Sequence, residues 1–173
     1  MNITLSLFLI KKKTSSDLIR LYLHESRRVY GDKLIDKDDS DAFVKLQYAS
    51  FQGAKKNFED LNFEDCFRLP NIYCHFSQGV GEPKYVPVES WSFLNSALVK
   101  VLDNYNELNS AMNLVLFEDA IMHVCRINRI LELPRGNALL IGVGGSGKQS
   151  LSRLAGFISS LEVFQIQFRK GKK

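Results

Sequence analysis

The sequence predicts an α/β fold that is mostly helical by residue count, and three observations carry the prediction. A glycine run ending in lysine, Gly142-Val143-Gly144-Gly145-Ser146-Gly147-Lys148-Gln149-Ser150, lies between the apolar run Ala138–Ile141 and the amphipathic stretch Leu151–Ile158. Three stretches upstream repeat apolar residues at helical spacing. Near the C-terminus, Glu162-Val163-Phe164-Gln165-Ile166-Gln167-Phe168 alternates as a half-buried strand does.

Taken in order, Ile3–Ile10 is apolar and precedes Lys11-Lys12-Lys13. A secretory leader carries its charge before the apolar run, so this segment reads as the end of a core helix or strand. The first helix is expected over Asp17–Tyr30, with Ser16 as N-cap and Leu18, Leu21, Tyr22 and Val29 on one face. The acidic turn Asp36–Asp41 lacks the Gly and Glu of a calcium loop and instead caps a helix over 42–58. Pro70, Gly79, Gly81, Pro83 and Pro87 then punctuate a loop-rich connector with one short strand near Ile72–Phe76. Order resumes at Ser90. A helix over Trp91–Asn109 buries Leu94, Leu98, Val101, Leu102 and Tyr105, and a second over 116–131 turns Phe117, Ile121, Val124, Cys125 and Ile127 inward. Pro134-Arg135-Gly136 breaks the chain before a strand over 138–143. A helix over 148–160 and a strand over 162–168 complete a βαβ unit with right-handed crossover. The expected divisions are residues 1–60, 61–90 and 91–173.

With 173 residues, 45% hydrophobic and 24% charged, the composition is globular. The net charge of +4 is mild, and no basic stripe interleaves with aromatics, so a nucleic-acid partner is not expected. No apolar run approaches the roughly 18 residues that span a bilayer, so no membrane partner is expected either. Cys66, Cys74 and Cys125 are too few and too scattered for a disulfide framework. His75 beside Cys74, and His123 near Cys125, lack the paired spacing of a zinc site.

The glycine run is the chemical signal. Gly142, four residues, then Gly147-Lys148 is the spacing of a phosphate-binding loop, and it stands where a strand should meet a helix. Clustered glycines let backbone N–H groups approach an anion, and the helix start adds orphan donors and a partial positive charge. Lys148 supplies a point charge to the outer phosphates. One position departs from the general pattern: Gln149 replaces the hydroxyl that would bind Mg²⁺, and Ser150 is rotated about 100° around the helix. Nucleotide binding is therefore better supported than magnesium-assisted turnover.

Met112–Ala120, His123–Leu131 and Arg135–Ala155, with the unusual Gly147-Lys148-Gln149-Ser150 ending, resemble the fourth AAA+ module of a dynein heavy chain. Leu18–Glu25 and Arg28–Leu34 resemble the helical lid that closes the third module. Gly81–Tyr85 and Tyr105–Asn109 are most similar to axonemal chains of the outer-arm type. The resemblance runs from about Leu5 to Gly171. It implies part of an ATP-driven, minus-end-directed microtubule motor of cilia and flagella, working in the axonemal cytoskeleton. The implied architecture is an incomplete P-loop AAA+ module behind a helical lid, with ATP or ADP as ligand. Matching positions place phosphate contacts at Gly144, Gly145, Ser146, Gly147, Lys148, Gln149 and Ser150, in a nucleotide-binding stretch that opens with Gly142 and Val143. They also set Val115 and Leu116 where such modules cradle adenine, although apolar helix entry accounts for them equally well.

Implied partners are neighbouring AAA+ modules, and, through a full-length parent, microtubules and the intermediate, light intermediate and light chains. No acidic metal-binding strand follows Lys148, and sensor residues and an arginine finger are missing. Phosphoryl transfer needs such parts together, so no catalytic residue is assigned. Gly171–Lys173 and Met1-Asn2 leave the family's course, as a truncated product or partial gene model would. A rival expectation is a non-catalytic helical scaffold docking through 18–29 and 91–105. A free-standing kinase or GTPase would need far more sheet after its loop than the 25 residues here.

Overall fold

The computed structural model describes residues 14–54, 56, 61–81 and 83–166. They fall into two compact units, one within Met1–Tyr73 and Tyr85–Trp91, the other within Cys74–Lys84 and Ser92–Lys173. The connector expected over 61–90 is thus shared between them.

The first unit is built on α1 (Ser15–Val29), α2 (Lys37–Ala54) and the short α3 (Phe63–Phe67), with a 3-10 turn at Gly31–Lys33. Helix α1 starts two residues before the expected position. Thr14 rather than Ser16 caps it, through a reciprocal box in which its Oγ accepts from Asp17 N–H and the Asp17 carboxylate accepts from Thr14 N–H. Arg27 and Arg28 in its last turn face the negative end of the helix dipole.

The buried face of α1 differs from expectation. Leu21 is buried, but Leu18 and Tyr22 are exposed, and Arg20, His24 and Glu25 take the inner positions. Each of these polar groups has hydrogen-bonding company, which is what makes burial tolerable. Arg20 donates to the carbonyls of Asp65, Arg68 and Pro70 at 2.6, 2.8 and 3.1 Å. Asn71 Nδ2 donates to the Arg20 carbonyl, His24 Nδ1 lies 3.0 Å from the Asn71 carbonyl, and Tyr85 donates to Glu25 at 2.6 Å. Helix α1 is tethered to the 65–71 segment by polar contacts that a search for apolar spacing does not see.

Helix α2 begins five residues before the expected start, where Asp36 Oδ1 accepts from Asp38 N–H. Helix α3 was not anticipated; Asn62 caps it by accepting from Glu64 N–H. Phe51, Leu61 and Cys66 form a small buried cluster with Ile19 and Phe67. Strand β1 (Tyr73–Cys74) falls in the expected 72–76 window and pairs with the unforeseen β2 (Val86–Pro87), making the one sheet among the described residues.

The second unit holds α4 (Trp91–Leu108), α5 (Glu118–Leu131) and α6 (Lys148–Ile158). Leu94, Leu98, Val101, Leu102 and Tyr105 of α4 are buried as expected, and so are Ile121, Val124, Cys125 and Ile127 of α5. Phe117 is not: it is the N-cap of α5 and is exposed. Helix α5 packs against α6, whose Leu151, Leu154, Ala155 and Ile158 face inward. Asn128 of α5, fully buried, donates to Ser159 Oγ at 2.9 Å, and Tyr105 meets Phe157 edge-on.

Two expected strands lack a ladder. Residues 138–143 and the described part of 162–168 flank α6 without pairing to each other or to any other described segment. Apolar periodicity reports which side chains suit a sheet, but a strand exists only when neighbouring backbone supplies its hydrogen bonds. Leu139, Ile141, Val143, Val163, Phe164 and Ile166 are accordingly exposed. The segment 3–10 and residues 167–168 lie outside the described residues.

Candidate phosphate-binding loop

The loop enters α6 through Gly147, its N-cap, in the left-handed region at φ 74°. An L-residue with a Cβ adopts that conformation only at a cost, and a Cβ here would point into open space, so backbone conformation rather than crowding selects glycine. No side chain caps the helix. Its first-turn N–H groups therefore keep the unsatisfied donors that a Ser or Asp N-cap would otherwise engage. No acidic residue stands in that turn to compete for an anion.

Those donors open onto a cavity of about 380 Å³ lined by Gly144–Ser150. Lys148, half-buried, folds back over the loop. Its Nζ donates to the Gly142 carbonyl at 2.8 Å, the Val143 carbonyl at 2.6 Å and Ser146 Oγ at 2.9 Å. An ammonium has three protons, and these acceptors use all of them. The lysine is held by its own loop, at the rim of the cavity its chain lines.

The structure thus brings Gly142 to Ser150 together as one concave turn at a helix start. Val115 and Leu116 lie outside the lining of that cavity; Val115 is 76% exposed and Leu116 half-buried. Gln149 is exposed and Ser150 half-buried. One residue escaped the sequence reading. Arg153 shares a cavity of about 360 Å³ with Lys148, Gln149 and Gln165, and it donates to Gln165 Oε1 at 2.6 Å. Its signal was a second cation five positions after Lys148.

Outside this loop, Cys66, Cys74 and Cys125 are buried free thiols. Hydrogen bonding from Cys125 pulls the Cys74 thiol below its ordinary pKa against the upward push of burial. Among the described residues no group of three His, Cys, Asp or Glu could hold a metal ion. No described helix is long and apolar enough to cross a membrane.

A glycine loop, its lysine and an uncapped helix start occur in many nucleotide-binding proteins; sequence relatives decide among them. Residues 112–173 match the family described as P-loop containing dynein motor region D4, and residues 4–68 match the AAA+ lid domain. Human dynein axonemal heavy chain 17 is 63% identical over 92% of this chain. The chain belongs to the axonemal dynein heavy-chain family. The ciliary dynein beta chain of Heliocidaris crassispina is also 63% identical over 92% of the chain. The flagellar outer-arm dynein alpha chain of Chlamydomonas reinhardtii is 49% identical over 80%. The chain spans about 4% of the length of the first two relatives and 3% of the third. The two matched regions give this dynein segment its architecture: a helical AAA+ lid followed by P-loop motor-region sequence, mostly helical in its described residues.

Proposed function

We propose that this dynein segment binds ATP or ADP through its phosphate loop and serves a regulatory rather than a hydrolytic role. The observation that carries the reading is the uncapped start of α6, whose donors line a cavity beside the Lys148 ammonium. Diphosphate or triphosphate oxygens would accept from the backbone of Gly144–Ser150 and from Lys148, while Val115 and Leu116 would flank adenine. Mg²⁺ fits poorly. The cavity lining offers an exposed amide at Gln149 and the hydroxyls of Ser146, which is engaged by Lys148, and Ser150, but no carboxylate, and Mg²⁺ favours hard oxygen ligands in near-ideal octahedral geometry. No step is therefore assigned to the metal or to a water.

The domain reading is a lid over 1–60, a connector over 61–90 and the nucleotide-binding part over 91–173. Motor activity on microtubules, contacts with neighbouring ring modules and accessory chains, and placement in the axoneme belong to a full-length heavy chain. Titration calorimetry of this chain with ADP and ATP tests the ligand. Weak heats that vanish in Lys148→Ala are expected, whereas heats indifferent to that change would sink the proposal. ATPase activity should be negligible; robust turnover abolished by Lys148→Ala would contradict the regulatory reading. A second reading, a docking scaffold, is favoured by Leu18 and Tyr22 exposed on α1 and by Phe93 and Val99 exposed on α4. It predicts no nucleotide heat at all.

A further inference from the structure

Strand β1 ends at Cys74, and the chain then turns back on that side chain. The Cys74 sulfur accepts from the N–H groups of Phe76 and Ser77, from the Ser77 hydroxyl and from the Cys125 thiol of α5. A side chain that accepts from backbone two residues on is how Asp or Asn closes a tight turn, here with sulfur in place of oxygen. Cys74, Ser77 and Cys125 are all buried, and all belong to the second unit. Packing alone does not call for these contacts, since a buried cysteine behaves as a small hydrophobe. Four donors converging on one sulfur make surroundings suited to its anion.

Cys66 is placed differently. It lies in the first unit, where burial pushes its thiol up, and no second cysteine occurs between Met1 and Tyr73. Cys74 has both a nucleophile's surroundings and a second sulfur in hydrogen-bond contact. Solvent is close along the chain, because 78–81 are exposed and begin four residues after it.

We infer that Cys74 and Cys125 form a peroxide-responsive dithiol, with Cys74 the attacking sulfur and Cys125 the resolving one. The Cys74 thiolate attacks one oxygen of hydrogen peroxide, the O–O bond breaks, and the other oxygen leaves as water after taking a proton. Cys125 then gives up its proton and attacks the Cys74 sulfenic sulfur. The S–O bond breaks, a second water leaves and the disulfide closes. Two electrons pass from the sulfur pair to the peroxide. The product ties β1 to α5, the helix against which α6 packs.

Treating the 173-residue chain with hydrogen peroxide, alkylating the remaining thiols and mapping the peptides by mass spectrometry tests it. The expected product is a peptide pair linked from Cys74 to Cys125, reversed by dithiothreitol, with Cys66 still alkylated. In Cys125→Ala the Cys74 sulfenic acid should persist and be trapped by dimedone. Ser77→Ala removes the hydroxyl donor and should slow linkage about threefold, as the thiolate becomes scarcer but more nucleophilic. A link through Cys66, equal oxidation of all three cysteines, no link at all, or an unchanged rate in Ser77→Ala would overturn the inference. If a variant does not fold, the wild-type peptide map decides alone.

Discussion

Lys148 spends its three protons on the loop that carries it. A phosphate must therefore displace one of these acceptors, and Ser146 Oγ is the one that a side-chain substitution can remove. Ser146→Ala should leave Lys148 one unengaged donor and tighten pyrophosphate binding by about threefold, read by calorimetry; weaker binding would instead give the hydroxyl a direct ligand contact. Tyr73 makes a separate prediction. Burial pushes its phenol from 10.0 to about 12. Between those values the unfolded chain sheds a proton that the folded chain retains. The resulting stability is fully present below pH 10 and is lost as pH rises to about 12. The melting temperature should fall across that window, and less steeply in Tyr73→Phe. At this scale the sequence was generous about the loop, whose residue types and spacing are local. It was silent about Lys148's partners, because carbonyl acceptors belong to every residue and only geometry selects two of them.

Between elements, a different kind of contact holds each unit together. Helix α6 meets α5 through apolar packing, and Leu154 is fully buried on it. Leu154→Ala should cost about 2–5 kcal/mol in denaturant unfolding, since the cavity adds to the lost transfer energy. Helix α1 is held differently, by the Arg20 guanidinium on three carbonyls. Arg20→Met keeps the stem and strands those acceptors; unfolding should come about 2–4 kcal/mol sooner, with hydrogen-exchange protection lost first around 62–71. Loss confined to α1 would argue against the tether. The helices were legible because their stop and start residues are local, although caps moved by up to five positions. The inner face of α1 was not, because Arg20, His24 and Glu25 earn burial only through partners some 40 to 60 residues away. Gly136 is a similar case: a Cβ there would collide with the Ile130 carbonyl, a constraint that Pro134-Arg135-Gly136 announces only as a break.

For the molecule as a whole, the sequence predicts two strands around the loop, and among the described residues neither has a ladder. The period-two signal at 162–168 and the apolar run at 138–143 were correct about chemistry, since their side chains are those of a buried sheet. They could not specify where partner strands come from. The consequence in solution is measurable. Six large apolar side chains on these segments are exposed, and unpaired backbone beside apolar surface invites pairing with another chain. Light scattering should show the 173-residue chain self-associating at micromolar concentration, and Ile141→Lys with Phe164→Lys should shift it toward monomer. A strictly monomeric wild type would mean those faces find cover within their own chain.

Helix α6 starts without a side-chain cap. A helix that begins without a side-chain acceptor frays at its first turn, so an incoming anion would do the work a serine or aspartate does elsewhere. Occupancy and winding of that turn are then one equilibrium, and any ligand there should slow amide exchange at Gln149 and Ser150 while leaving the far end of the helix, anchored on Asn128, unmoved.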